Sequence, residues 1–155
     1  MNEVNESDMT AQELHLVVFK LGDEEFAADI NSIREIVKYP SMTPVPNTPH
    51  HIVGVVNLRG QITTVISLRK RFGMDDDQLT GDTRILIVDI GSENIGLIID
   101  EISEVLKVDG SNLVENTGLD SGRFLNSVSG MVKMDDRLII MLDLIKAFQE
   151  DEDRN

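Results

Sequence analysis

Side chains able to do chemistry are few in this 155-residue chain, and they lie far apart. There is no cysteine, and the three histidines are His15, His50 and His51. A zinc site needs three or four nitrogen, sulfur or oxygen ligands converging on one point. The adjacent His50-His51 pair points its rings in different directions on any regular element, and no third ligand stands near it. A solvated loop or helix start after Pro49 is the plainer reading. Asp29, Asp89, Asp100 and Asp143 could supply a carboxylate pair for acid–base work. Each falls instead where a strand ends or a helix begins. Asp143 directly precedes Leu144-Ile145-Lys146-Ala147-Phe148, where an N-cap is expected. Asp75-Asp76-Asp77 lacks the alternating ligands and closing Glu of a calcium loop and reads as solvated linker. The sequence contains no Walker-type glycine loop, Gly-x-Ser-x-Gly elbow or His-Glu-x-x-His. No catalytic residue, metal or cofactor is expected.

Two features suit binding better. Asn57-Leu58-Arg59-Gly60 reads as a hairpin tip, with Gly60 taking the positive φ of a tight turn. Arg59 is then either a solvated tip residue or a planar fork, held rigidly, for a partner's carboxylate or backbone. The second feature is the stripe Ile30, Ile33, Ile36 and Val37, echoed by Ile99, Ile102, Val105 and Leu106 at near-helical spacing. Such a stripe is either core or the lining of an apolar groove, with Glu35 where a charged rim would sit.

Strands must position these residues. Ile and Val together number 31 against four Ala, a bias towards sheet over helix. Leu14 to Leu21 and Phe26 to Ile30 read as strands about a Gly22–Glu25 turn, and Ile52–Leu58 and Ile62–Leu68 as a hairpin joined at Arg59-Gly60. All four prolines lie between Pro40 and Pro49, so that stretch runs extended. Leu68 to Phe72 forms a short helix, and residues 74–82 a linker. Residues 1–13 and 150–155 are acidic and read as disordered ends, carrying half of the net charge of −14. That charge disfavours nucleic acid and anionic membranes as partners. Residues 1–13 have no apolar stretch of the kind a secretion signal needs, so a soluble cytoplasmic domain is expected.

The second half repeats the first. A shift of 69 lays residues 17–38 on 86–107, and a shift of 76 lays 54–72 on 130–148, with eleven identities in 41 pairs. Glu35 falls on Glu104, Gly54 on Gly130 and Phe72 on Phe148. The expected fold is mainly β. It comprises two small five-stranded barrel-like subdomains, about 14–73 and 83–149, with short helices and a C-terminal helix, packed on a shared apolar seam. Strands are either kept within each copy or exchanged between copies. At the place of Arg59-Gly60 the second copy has Asp135-Asp136. The duplication therefore did not keep an arginine there for folding alone.

Gly54-Val55-Val56-Asn57-Leu58-Arg59-Gly60, followed by Val65-Ile66-Ser67-Leu68-Arg69, resembles the signature of CheW-like coupling proteins of bacterial chemotaxis. Phe19-Lys20-Leu21-Gly22 with Phe26, Ile33-Arg34-Glu35-Ile36, and Gly96 to Asp100 leading to Val105-Leu106 extend the likeness over about residues 14–149. The chain departs from the family's Pro-x-x-Asp-Leu-Arg, having Thr64 and Ser67 at the Pro and Asp positions. The resemblance implies two duplicated, partly swapped β subdomains without enzymatic activity. It also implies an adaptor that bridges chemoreceptor cytoplasmic tips to the regulatory domain of a histidine kinase of the same fold. Such an adaptor would be cytoplasmic and would reach membrane-associated arrays only through its partners. Receptor contact would fall on Ile33, Glu35 and Arg59, with Gly54, Asn57, Leu58 and Gly60 shaping the hairpin, and kinase contact on the barrel ends. The alternatives are a CheW-like module of a related coupling protein, an oligonucleotide-binding barrel, and a small hydrolase with paired carboxylates. An aromatic stacking platform for the second is scarcely available from one Tyr, five Phe and no Trp.

Overall fold

The structure, a computed structural model, describes residues 13–91, 93–114 and 127–153, with side chains as far as Phe148. Among the described residues eleven strands form two sheets. In chain order they are β1 (Leu14–Leu21), β2 (Glu24–Asp29), β3 (Glu35–Lys38), β4 (Ile52–Leu58), β5 (Gln61–Ser67), β6 (Arg84–Asp89), β7 (Asn94–Ile99), β8 (Glu101–Val108), β9 (Leu113–Val114), β10 (Val128–Met134) and β11 (Arg137–Leu142). Helix α1 (Leu68–Arg71) follows β5, and α2 (Leu144–Asp153) follows β11. The helix thus runs on through residues 150–153, which composition alone gives to a charged tail. Residues 1–12 and 154–155 lie outside the described residues.

The sheet orders show how the repeat is used. Lobe 1 has the order β8-β1-β2-β11-β10-β9, and lobe 2 the order β3-β6-β7-β5-β4. Under the two sequence shifts, β1, β2, β3, β4 and β5 correspond to β6, β7, β8, β10 and β11. The two orders then coincide except for β9, which extends lobe 1 beyond β10, and the first hairpin of each copy sits in the other copy's sheet. Strands are therefore exchanged. Each exchanged hairpin makes one parallel junction, β2 with β11 and β7 with β5.

Each sheet also curls towards closure. After β3 the chain returns to pair with β4, the far edge of the same sheet, where Thr43 and Val55 exchange both backbone hydrogen bonds at 3.0 and 2.9 Å. In lobe 1, β9 does the same against β10, with Met131 opposite Val114. Gly54 explains why the approach is possible. A Cβ there would stand 2.5 Å from the Thr43 carbonyl oxygen.

Three apolar clusters follow from strand alternation. Leu16, Val18, Ala27, Val108, Val132 and Ile139 fill lobe 1. Val56, Val65, Ile85, Ile87 and Ile98 fill lobe 2. The opposite faces of the same strands supply Phe19, Phe26, Ile66, Leu86, Leu97, Ile140 and others to a joint core between the lobes. Phe26 lies at its centre, stacked on Phe19 at 6.0 Å and on Phe72 at 6.4 Å. Burying both faces of β1, β2, β6 and β7 is what makes either lobe dependent on the other.

Candidate functional site

The hairpin tip is built as its residues require. Arg59 and Gly60 link β4 to β5 with φ of +53° and +84°, the two positive values of a type I′ turn, whose twist matches that of the flanking strands. Asn57 stabilises it by accepting the Gly60 backbone N–H on Oδ1 at 2.8 Å. From this turn Arg59 reaches across the mouth of lobe 2 to Glu35 at the start of β3. Its Nη1 donates to Oε1 at 2.8 Å and its Nη2 to Oε2, a fork-to-fork ion pair. The Arg59 guanidinium holds the Glu35 carboxyl below the usual carboxylate range, with Arg34 adding a smaller pull. Arg59 remains 73% exposed against 26% for Glu35, so the outward side of the pair is cationic.

Arg59 is therefore neither a free tip nor a fork awaiting a carboxylate. It is already paired. The second lobe qualifies the inference drawn from Asp135-Asp136. There Glu104, the counterpart of Glu35, pairs with Arg137, one residue beyond that turn, at 2.8 Å. Arg137 also grips Glu25 at 3.0 and 3.1 Å. A Glu–Arg clasp across the barrel mouth is common to both lobes, so closing the mouth is part of what Arg59 does. What sets lobe 2 apart is that its arginine sits at the tip and stays exposed.

The stripe needs correcting. Ile30–Ser32 is a 3₁₀ turn capped by Asp29, whose Oδ1 accepts the Asn31 N–H at 2.9 Å. Glu35–Lys38 and Glu101–Val108 are strands, not helical segments. The spacing mixes one turn of 3₁₀ helix with the alternation of a strand. Ile33 is half-buried against the joint core. Ile36, 40% exposed and next to Glu35, presents the apolar surface instead. The structure thus brings Glu35 and Arg59 together, while Ile36 projects from the opposite face of β3 and Ile33 is half-buried against the joint core.

Other expectations resolve case by case. Asp143 caps α2, accepting the Lys146 N–H at 3.0 Å. His51 is buried rather than solvated, while His50 is exposed. Asp77 departs from a solvated linker. It is half-buried and accepts a hydrogen bond from Ser67 Oγ, and burial raises its pKa above the usual value. Asp75 and Asp76 are exposed. Asp100 takes part in an ion pair with Arg69 that sequence reasoning missed. Their separation of 31 residues leaves no local signal of it. Among the described residues no cluster of three or more His, Asp or Glu could hold a metal, and no helix is long and apolar enough to cross a membrane. Phe19, Phe26 and Phe72 are consumed by the joint core and offer no stacking platform for bases.

Comparison with known proteins decides the family. The CheW-like domain matches residues 15–152. The chain belongs to the CheW family. It is 36% identical over 140 residues to the chemotaxis protein CheW of Helicobacter pylori, covering 89% of this chain and 83% of that one. It is 33% identical over 129 residues to the CheW of Bacillus subtilis, covering 83% and 82%. The crystal structure of the scaffolding protein TtCheW from Thermoanaerobacter tengcongensis superposes with a TM-score of 0.80 at 37% identity, covering 88% of each chain. The exchanged double lobe is thus a CheW fold, and Arg59 lies within the matched domain.

Proposed function

We propose that this chain is a non-enzymatic chemotaxis adaptor that binds chemoreceptor cytoplasmic tips and the regulatory domain of the chemotaxis histidine kinase together, relaying receptor state to kinase activity. The observation that carries this reading is the CheW-like match over residues 15–152, nearly the whole described chain. The site geometry supports it. A helical receptor tip would set an apolar face against the exposed Ile36 and the accessible part of half-buried Ile33, and polar side chains against the Glu35–Arg59 pair with its exposed guanidinium. The Asn57-braced turn holds Arg59 in place before the partner arrives, which lowers the ordering cost of binding. The lobe ends would meet the similar kinase domain pseudo-symmetrically, and such head-to-tail contacts can close into rings. Any change in kinase rate then comes from different affinities of the adaptor for the kinase's states. The protein would work in the cytoplasm and reach receptor arrays through its partners.

Calorimetric titration with a receptor-tip fragment tests the assignment. Arg59→Glu sets two carboxylates against each other at the rim, and binding should weaken roughly tenfold or more while the fold persists. Unchanged affinity would remove Arg59 from the interface.

A further inference from the structure

The chain passes between the lobes twice, from β2 to β3 and from β7 to β8. The duplication makes these two crossings counterparts, yet they are built differently. At the second crossing the only intervening residue is Asp100. Its backbone N–H donates to the Lys20 carbonyl of lobe 1 at 3.0 Å. Its carboxylate accepts the Gly22 N–H of the β1–β2 turn at 2.8 Å, also in lobe 1. Both of its oxygens are gripped by Arg69 of α1, which caps lobe 2, with Nε to Oδ1 at 2.9 Å. Arg69 is 13% exposed and further reaches the carbonyls of Asp75 and Asp76. One carboxylate thus joins a backbone turn of one lobe to a helix of the other.

At the first crossing the sequence shifts place Asn31 where Asp100 stands and Ile145 where Arg69 stands. Neither can form the ion pair. The chain instead leaves the sheet in the Asp29-capped 3₁₀ turn, and Arg34 pairs with Asp89 at 3.2 Å, inside lobe 2. An open cleft of about 660 Å³ remains, lined by Asp29, Asn31, Ser32, Arg34, Asp89 and Ile145.

We infer that the Asp100–Arg69–Gly22 junction is an orientation lock, fixing the angle between the two lobes at one crossing while the counterpart crossing is left without one. A charge-assisted, two-pronged pair has one favoured geometry, whereas the apolar joint core resists separation but tolerates small sliding. Asp100 and Arg69 are therefore positioning residues for the lobes. The inference does not depend on what the chain binds.

The test uses the full chain, whose lack of cysteine lets spin labels be placed at will. Lys38→Cys and Lys107→Cys put labels on exposed counterpart positions, one in each lobe. The distance distribution should be single and narrow with Asp100 intact. Asp100→Asn, and independently Arg69→Gln, should broaden it or add a second peak, with amide-exchange protection inside each lobe retained. Arg34→Ala, which breaks only the within-lobe pair at the open crossing, should leave it unchanged. An unaltered distribution in both lock variants overturns the proposal. So does failure of both to fold, which would make the junction a requirement for folding rather than a lock on orientation.

Discussion

Replacing Gly54 with alanine puts the closure of lobe 2 to a quantitative test. The added methyl would lie 2.5 Å from the Thr43 carbonyl oxygen, 3.1 Å from its carbon and 3.4 Å from the Pro44 Cα. All three are backbone atoms, so no side chain can swing aside. If the segment holds its place, the overlap resembles overpacking, at about 1–3 kcal/mol. If it moves away, the two Thr43–Val55 hydrogen bonds are lost instead, at about 0.5–1.5 kcal/mol each. Both routes converge on roughly 2 kcal/mol, or a fall in Tm of about 4–8 °C for a chain this long. Gly60→Ala is the control. Nothing lies within 4 Å of its added methyl, and only the φ of +84° is penalised, at about 1 kcal/mol. Thermal and urea unfolding followed by circular dichroism measure both. A Gly54→Ala variant as stable as the parent, or no less stable than Gly60→Ala, would refute the packing argument.

Further outcomes follow from the same geometry. Ile33→Asp should lower stability by about 2 kcal/mol or more in urea titrations, because it sets a carboxylate against the joint core, whereas Ile36→Asp should leave the midpoint almost unmoved. Phe26→Ala, which removes the middle ring of the Phe19–Phe26–Phe72 stack, should cost about 3–5 kcal/mol and unfold both lobes in one transition. Burial raises the Asp77 pKa in the folded state above its unfolded value, so the ionised carboxyl opposes folding near neutrality and that penalty fades as pH falls through the folded pKa. Asp77→Asn should therefore raise Tm at pH 7 by more than it does near pH 4, and a pH-independent difference would contradict the assignment. Exchanging the rim charges in the double variant Glu35→Arg/Arg59→Glu should preserve the fold and the clasp while receptor-tip affinity stays reduced.

Much of the fold was legible because it is written locally. The β4–β5 hairpin announces itself through Asn57 and Gly60, the α2 cap through Asp143, and the duplication through paired positions such as Glu35 and Glu104. The exchange of hairpins was not decidable from sequence, since β1-β2 and β6-β7 offer the same buried faces to either sheet. The stripe misled because Ile30 and Ile33 are joined by a 3₁₀ turn while Ile36 and Val37 alternate in a strand. Ile36 rather than Ile33 consequently faces outward. The clasp of Arg59 on Glu35 spans 24 residues, and it exists because the sheet curls. The Arg137 clasp was hidden by a one-residue displacement from the matching turn. Pairings of this kind belong to tertiary geometry, which residue types and spacing do not encode.

Whether this chain joins two partners at once is best answered by sedimentation of three purified components: the full chain, a soluble receptor cytoplasmic fragment and the regulatory domain of the cognate kinase. A ternary boundary heavier than either binary complex, lost when Arg59→Glu replaces the parent chain and leaving only the kinase-bound pair, is the predicted result. Sedimentation of all three as separate species would contradict the account, as would a ternary boundary that Arg59→Glu leaves untouched.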